Sequence, residues 1–114
     1  MKTLALTVSA IASIGPAHAE FIGTCLLDVE GSSFIDGKCG ITLRPDGSFQ
    51  IRSLERDTGG VPIYFAYVNT FDAGKAAGYW NGEPFAGHAH TPLGELTQEG
   101  ACWVNAHAKV CAWK

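Results

Sequence analysis

The chain has no concentration of positive charge. Its eight lysines and arginines are scattered and outnumbered by eleven aspartates and glutamates, whereas nucleic-acid binders gather basic residues on one face. A nucleic-acid partner is therefore not expected. There is no C-x-x-C pair, the signature of disulfide oxidoreductases, and none of the four cysteines stands two to four residues from another, the spacing zinc sites favour. No serine lies in a G-x-S-x-G elbow. Internal repeats, low-complexity tracts and a dividing linker are missing, and so is any sustained helical period beyond the first residues. The apolar run Leu4 to Ile14 spans eleven residues, too few for the roughly 20 that cross a bilayer.

That run has another meaning. It is preceded by Lys2 and followed by Gly15-Pro16 and Ala17-His18-Ala19, which together make the positive start, apolar centre and A-x-A exit of a secretory signal peptide. Residues 1–19 are expected to be removed, with Glu20 as the mature start and residues 20–114 forming one small domain, secreted or periplasmic. No stable membrane association is expected after cleavage. Cleavage takes Lys2 and no acidic residue, so the formal charge moves from −3 to −4. The 95 residues left of 114 bury only about 60–70% of their unfolded surface, so the core needs covalent support.

Cys25, Cys39, Cys102 and Cys111 supply it, because paired disulfides are the usual state of cysteines in a short exported domain. Four cysteines allow three pairings, and hairpin geometry favours one. With Ala106-His107 as a two-residue turn, Asn105 faces Ala108 and Cys102 faces Cys111 at a non-hydrogen-bonded position, where Cα atoms approach to about 4.5 Å, within disulfide reach. Cys25 then pairs with Cys39. Crossed pairings are the alternatives, since Ala-His lacks the Asn-Gly or Asp-Gly chemistry of tight hairpin turns.

Between the cysteines the pattern is strand and turn. Phe21 to Glu30 opens the domain, Gly31-Ser32-Ser33 breaks it, and Asp36-Gly37 reads as a further turn before Cys39. Ile41 and Leu43 alternate with polar residues, "RPDG" turns, and Phe49 and Ile51 alternate again, which is a hairpin with favourable turn residues. "ERDTGG" is a polar loop, and Val61 to Val68, apolar on both faces, reads as a central strand. Asn69 to Ala77 fits either a loop or one helical turn. "GYWNG" and "EPFAGHAHTP" read as looped or extended segments, and Gly94 to Trp113 as three short strands. The fold class that follows is all-β, a small antiparallel sandwich or barrel of short strands stapled by two disulfides.

Three kinds of chemistry fit this scaffold. His88 and His90, two apart, share one face of an extended segment, and with His107 they would offer three imidazoles to Zn²⁺ or Cu²⁺; no carboxylate at a fixed offset completes the set, and otherwise no cofactor is expected. Catalysis would need a walled cleft around residues such as His88 or the Asp28 and Glu30 carboxylates, for which the chain has little material, so turnover is not expected. Recognition remains. Tyr79, Trp80, Asn81 and Phe85 lie in a glycine-bracketed segment, and Tyr and Trp anchors are favoured at interfaces.

The early cysteine, the Gly78-Tyr79-Trp80 segment before a terminal hairpin and the late cysteine together resemble the periplasmic inhibitors of C-type lysozyme. The Ser-Gly-Ala and Lys-Gly segments of that family are absent, their places taken by Asp72-Ala73-Gly74-Lys75 and Trp80-Asn81-Gly82. The resemblance implies a protein-binding role. The sequence thus leads to an exported binding or inhibitory module that engages a protein or cell-envelope partner through an aromatic loop surface. A secreted metal-binding protein using His88, His90 and His107 is the alternative.

Overall fold

The computed structural model describes residues 19–114, so the expected signal peptide lies, but for Ala19, outside the described residues. Eight antiparallel strands close into a barrel in which each strand pairs with its sequence neighbours and β1 with β8. The strands are β1 (Glu20–Val29), β2 (Ser32–Leu43), β3 (Phe49–Arg52), β4 (Phe65–Asp72), β5 (Lys75–Trp80), β6 (Thr91–Glu99), β7 (Cys102–Val104) and β8 (Ala108–Trp113). Of the two all-β architectures the sequence allows, this is the barrel, and closure leaves no free edge.

Alternation sets the interior. Leu27, Ile41, Ile51, Val68, Leu96 and Val110 are fully buried and belong to one apolar cluster, as expected where every second side chain of each strand points inward. The "RPDG" hairpin forms as its pattern predicts, with Leu43 opposite Phe49 and Ile41 opposite Ile51.

Both disulfides take the favoured pairing. Cys102 lies directly opposite Cys111 with Cα atoms 4.0 Å apart. The turn between them needs no positive φ, because Asn105 replaces that chemistry with its side chain: Oδ1 accepts from the His107 and Ala108 amides at 2.7 and 2.8 Å. Nδ2 donates to the Leu93 and Glu95 carbonyls at 2.8 and 3.0 Å, tying the turn to the β6 bulge. Gly94 sits there at φ 89°, and a Cβ on it would press on Asn105 Nδ2 at 3.3 Å. Cys25 and Cys39 instead bridge diagonally, since Cys25 pairs with Gly37 and Cys39 with Gly23. Both sulfurs are inside the barrel.

Several boundaries differ from the sequence expectation. Asp36-Gly37 is not a turn: β2 runs through it, because pairing with β1 on one side continues from Val29 to Glu20 and carries Cys39 to its partner. The reversal is at Glu30-Gly31, both at positive φ (51° and 86°). Val61 to Tyr64 lies outside β4. Pro62 cannot donate to a ladder, and this segment folds back on 53–57, with Ser53 and Asp57 donating to the Tyr64 and Val61 carbonyls. The Asp57 carboxylate accepts from Gly59 and Val61 amides, each at 2.9 Å. Asn69 to Ala77 is neither loop nor helical turn but the β4–β5 hairpin, paired from Ala66–Trp80 to Asp72–Lys75. On the outer wall, the Glu20 carboxylate and the Arg52 guanidinium form a two-bonded ion pair. It passes over Gly40, where a Cβ would strike both partners.

The bridges differ in access, and thiol–disulfide exchange requires it. Cys25, Cys39 and Cys111 are 0–1% exposed, whereas Cys102 is half-buried. Dithiothreitol under native conditions is therefore expected to open Cys102–Cys111 first, as read by alkylation and peptide mass mapping. Loss of either bridge should lower stability by about 2–4 kcal/mol. Reduction of Cys25–Cys39 before Cys102–Cys111 would contradict this order.

Candidate functional site

Loop lengths make the two ends of the barrel unlike. One end carries the short β2–β3, β4–β5 and β6–β7 turns. The other carries the Glu30-Gly31 and Ala106-His107 turns with two long connections, 53–64 and 81–90. Every aromatic and histidine singled out from the sequence lies at or near this second end.

Tyr79 and Trp80 are in strand β5 rather than a loop, so they point to opposite sides of the wall. Trp80 faces inward and is 6% exposed. Its ring centroid is 4.7 Å from that of Phe34 and 6.0 Å from that of Tyr64, and Phe34 meets Tyr64 edge-on at 5.1 Å, so the three rings plug this end of the barrel. The Trp80 indole nitrogen has no hydrogen-bond partner among the described residues. Tyr79 faces outward between Tyr67 of β4 and Pro92 of β6 and is 37% exposed. Phe65, also outward, is nevertheless buried, and the connection 53–64 provides its cover. Val61, Pro62, Phe65 and Tyr67 line a shallow cleft of about 200 Å³ there.

Asn81 is a hub rather than a surface residue. It is 4% exposed, its Oδ1 accepts from the Phe65 amide at 3.1 Å, and its Nδ2 lies 2.9–3.2 Å from the Ile63, Glu83 and Ala86 carbonyls. A single amide thus fastens both long connections to the end of β4. Phe85 is held by its own amide donating to Ile63 at 2.9 Å. It adopts φ 64°, a region that costs a non-glycine residue about 1–3 kcal/mol and persists where the surroundings impose it. Its side chain is 39% exposed.

The histidines do not converge. His88 and His90 stack with centroids 5.0 Å apart, while His107, on the last hairpin turn, has its Nδ1 3.1 Å from a Glu30 carboxylate oxygen. Among the described residues no group of three or more His, Cys, Asp or Glu side chains is placed to hold a metal ion. The three-histidine set expected from the sequence is therefore divided between two places.

Phe65, Tyr67, Tyr64 and Phe34 escape a sequence search for the site, because each reads as an ordinary strand residue. The signal was present for Phe65 and Tyr67: a strand apolar on both faces needs a cover on its outer side. At the opposite end, Ser48 is buried, its hydroxyl 3.1 Å from that of Thr70. Asp46 accepts from the Ser48 amide at 2.9 Å. This amide first, and the Ser48 hydroxyl second, hold the Asp46 carboxyl below its ordinary value of 3.8.

Asn81→Ala is expected to lower stability by roughly 3 kcal/mol, because one buried acceptor and its donors disappear while their backbone partners stay. Hydrogen exchange should accelerate at the Phe65 and Phe85 amides, and unchanged protection there would contradict the hub role. Asp46, followed by NMR, should titrate below 3.8. A depressed carboxylate favours the folded state above the ordinary range, and that contribution vanishes as pH falls through its lowered midpoint.

Comparison with protein-family models, with curated proteins and with solved structures finds no match for this chain.

Proposed function

We propose that the chain is a small exported binding or inhibitory module that engages a protein or cell-envelope partner through the outer aromatic surface around Tyr79 and Phe85, without turnover. The observation that carries this reading is the presentation of Phe85: an exposed aromatic held at φ 64° on a connection that the buried Asn81 amide locks in place. An aromatic side chain fixed before contact loses little freedom on binding. Trp80, inward-facing, and Asn81, buried among the connections, serve this surface by positioning it, and Tyr79 extends it along β5.

Export is part of the proposal. The two disulfides are consistent with an oxidising compartment. β1 begins at Glu20, the residue after the expected cleavage point, and its carboxylate is bound by Arg52. The resemblance to periplasmic lysozyme inhibitors in the Gly78-Tyr79-Trp80 segment and the cysteine placement agrees with a partner that is itself a protein.

Phe85→Gly separates binding from folding. Glycine tolerates the left-handed φ without strain, so the variant should melt at the same temperature as the parent or above it, while partner capture from periplasmic or extracellular fractions falls at least about tenfold, equivalent to one lost interface anchor. A photo-crosslinking benzoylphenylalanine at position 85 should label a single macromolecule, and the same group at Thr24, across the barrel on β1, should not. Equal labelling from both positions, or undiminished capture by a folded Phe85→Gly protein, would overturn the proposal.

A further inference from the structure

The end of the barrel remote from the aromatic connections is open. A cavity of about 620 Å³ lies between the β2–β3, β4–β5 and β6–β7 turns, within the roughly 300–1,000 Å³ of small-molecule sites, which occur preferentially at places such as the mouths of barrels. Phe49 and Trp103, each 7% exposed, form its floor with Ala112, whose small side chain leaves the space unfilled. Phe71, 62% exposed, stands at the rim.

The charged side chains around this apolar floor are of one sign. Asp46 and Asp72 line the cavity, and among the described residues no lysine or arginine does. Neither carboxylate is neutralised by a salt bridge among the described residues: Asp46 accepts from the Ser48 amide and Asp72 from the Ala73 amide at 2.8 Å. Lys75, the strand partner of Asp72, is directed to Glu95 at 3.4 Å instead. Arg44, near Asp46, does not line the cavity. Hydrogen bonds from Thr70 also hold the wall behind Asp46, its hydroxyl donating to the Asp46 carbonyl at 2.9 Å, so the arrangement is ordered before any ligand arrives. Aromatic rings and carboxylates lining one cavity both attract a cation that has an apolar body.

We propose that this mouth binds a small organic cation, an amine or quaternary ammonium whose compact apolar body rests on Phe49 and Trp103 while its head lies between Asp46 and Asp72. The site is separate from the Tyr79–Phe85 surface, so the two can fail independently.

The test titrates the full mature protein with 2-naphthylmethylamine and, in parallel, with 2-naphthylacetate, following amide and indole resonances by NMR. The amine should shift the Trp103 indole and the Gln98 amide saturably and bind roughly tenfold more tightly than the carboxylate, the size expected for two solvent-screened charge contacts. Asp46→Asn combined with Asp72→Asn should bring the two probes within about twofold of each other. Ala101→Leu, at an exposed position on the cavity wall, should weaken the amine by roughly tenfold through lost volume, and Phe85→Gly should leave it unchanged. Equal affinity for both probes, no saturable shift at the mouth, or shifts centred on Tyr79 and Phe85 would each overturn the proposal.

Discussion

The pairing of β1 with β8 is the constraint on which the molecule depends. It joins the first described strand to the last, and it exists only because six consecutive residues, Thr24 to Val29, find partners from Trp113 back to Ala108. Without it the sheet would have two unpaired edges. Closure also brings backbone close to backbone. Gly23 lies where a Cβ would collide with the Trp113 carbonyl oxygen and with Ile41, so the seam admits no side chain at that position. The Cys25–Cys39 bridge lies just inside it, binding β1 to β2 where β1 also carries β8.

From closure follows the division between the two ends. A barrel of eight strands has room for one layer of side chains and little more, so what fills each end is decided by the connections. At one end the Phe34, Tyr64 and Trp80 rings occupy the opening, and the long connections fold across the outer wall over Phe65. At the other, short turns leave nothing to fill the mouth, and the small Ala112 leaves the cavity above Phe49 and Trp103. The aromatic surface and the acid-rimmed mouth are thus products of the same topology. A protein partner at the first and a small cation at the second would not compete for space.

The polar hubs show how few side chains hold the connections. Asn105 compensates for a hairpin turn with poor local chemistry by closing it with its own amide and then bracing β6. Asn81 does the equivalent for two connections at once. Each uses both ends of its amide, which is the condition under which a half-buried or buried asparagine strengthens a fold rather than weakening it.

Local residue order was enough to establish the all-β class and the "RPDG" hairpin, and to favour the register that places Cys102 opposite Cys111 over the crossed pairings, because these depend on period-two alternation and on turns between near neighbours; the structure settled both bridges. It was not enough for the roles of Tyr79, Trp80 and Asn81, which look alike in a glycine-bracketed segment. Once β5 forms, alternation sends Tyr79 out and Trp80 in, and Asn81 finds partners up to 18 residues away. It was likewise silent on His107, which the last turn carries to Glu30. Barrel rather than sandwich, the plugged end and the open end were decided by the tertiary structure alone, since each rests on the meeting of β1 and β8 or on connections packing across distant strands. No local pattern in a chain encodes a contact between strands so far apart in sequence.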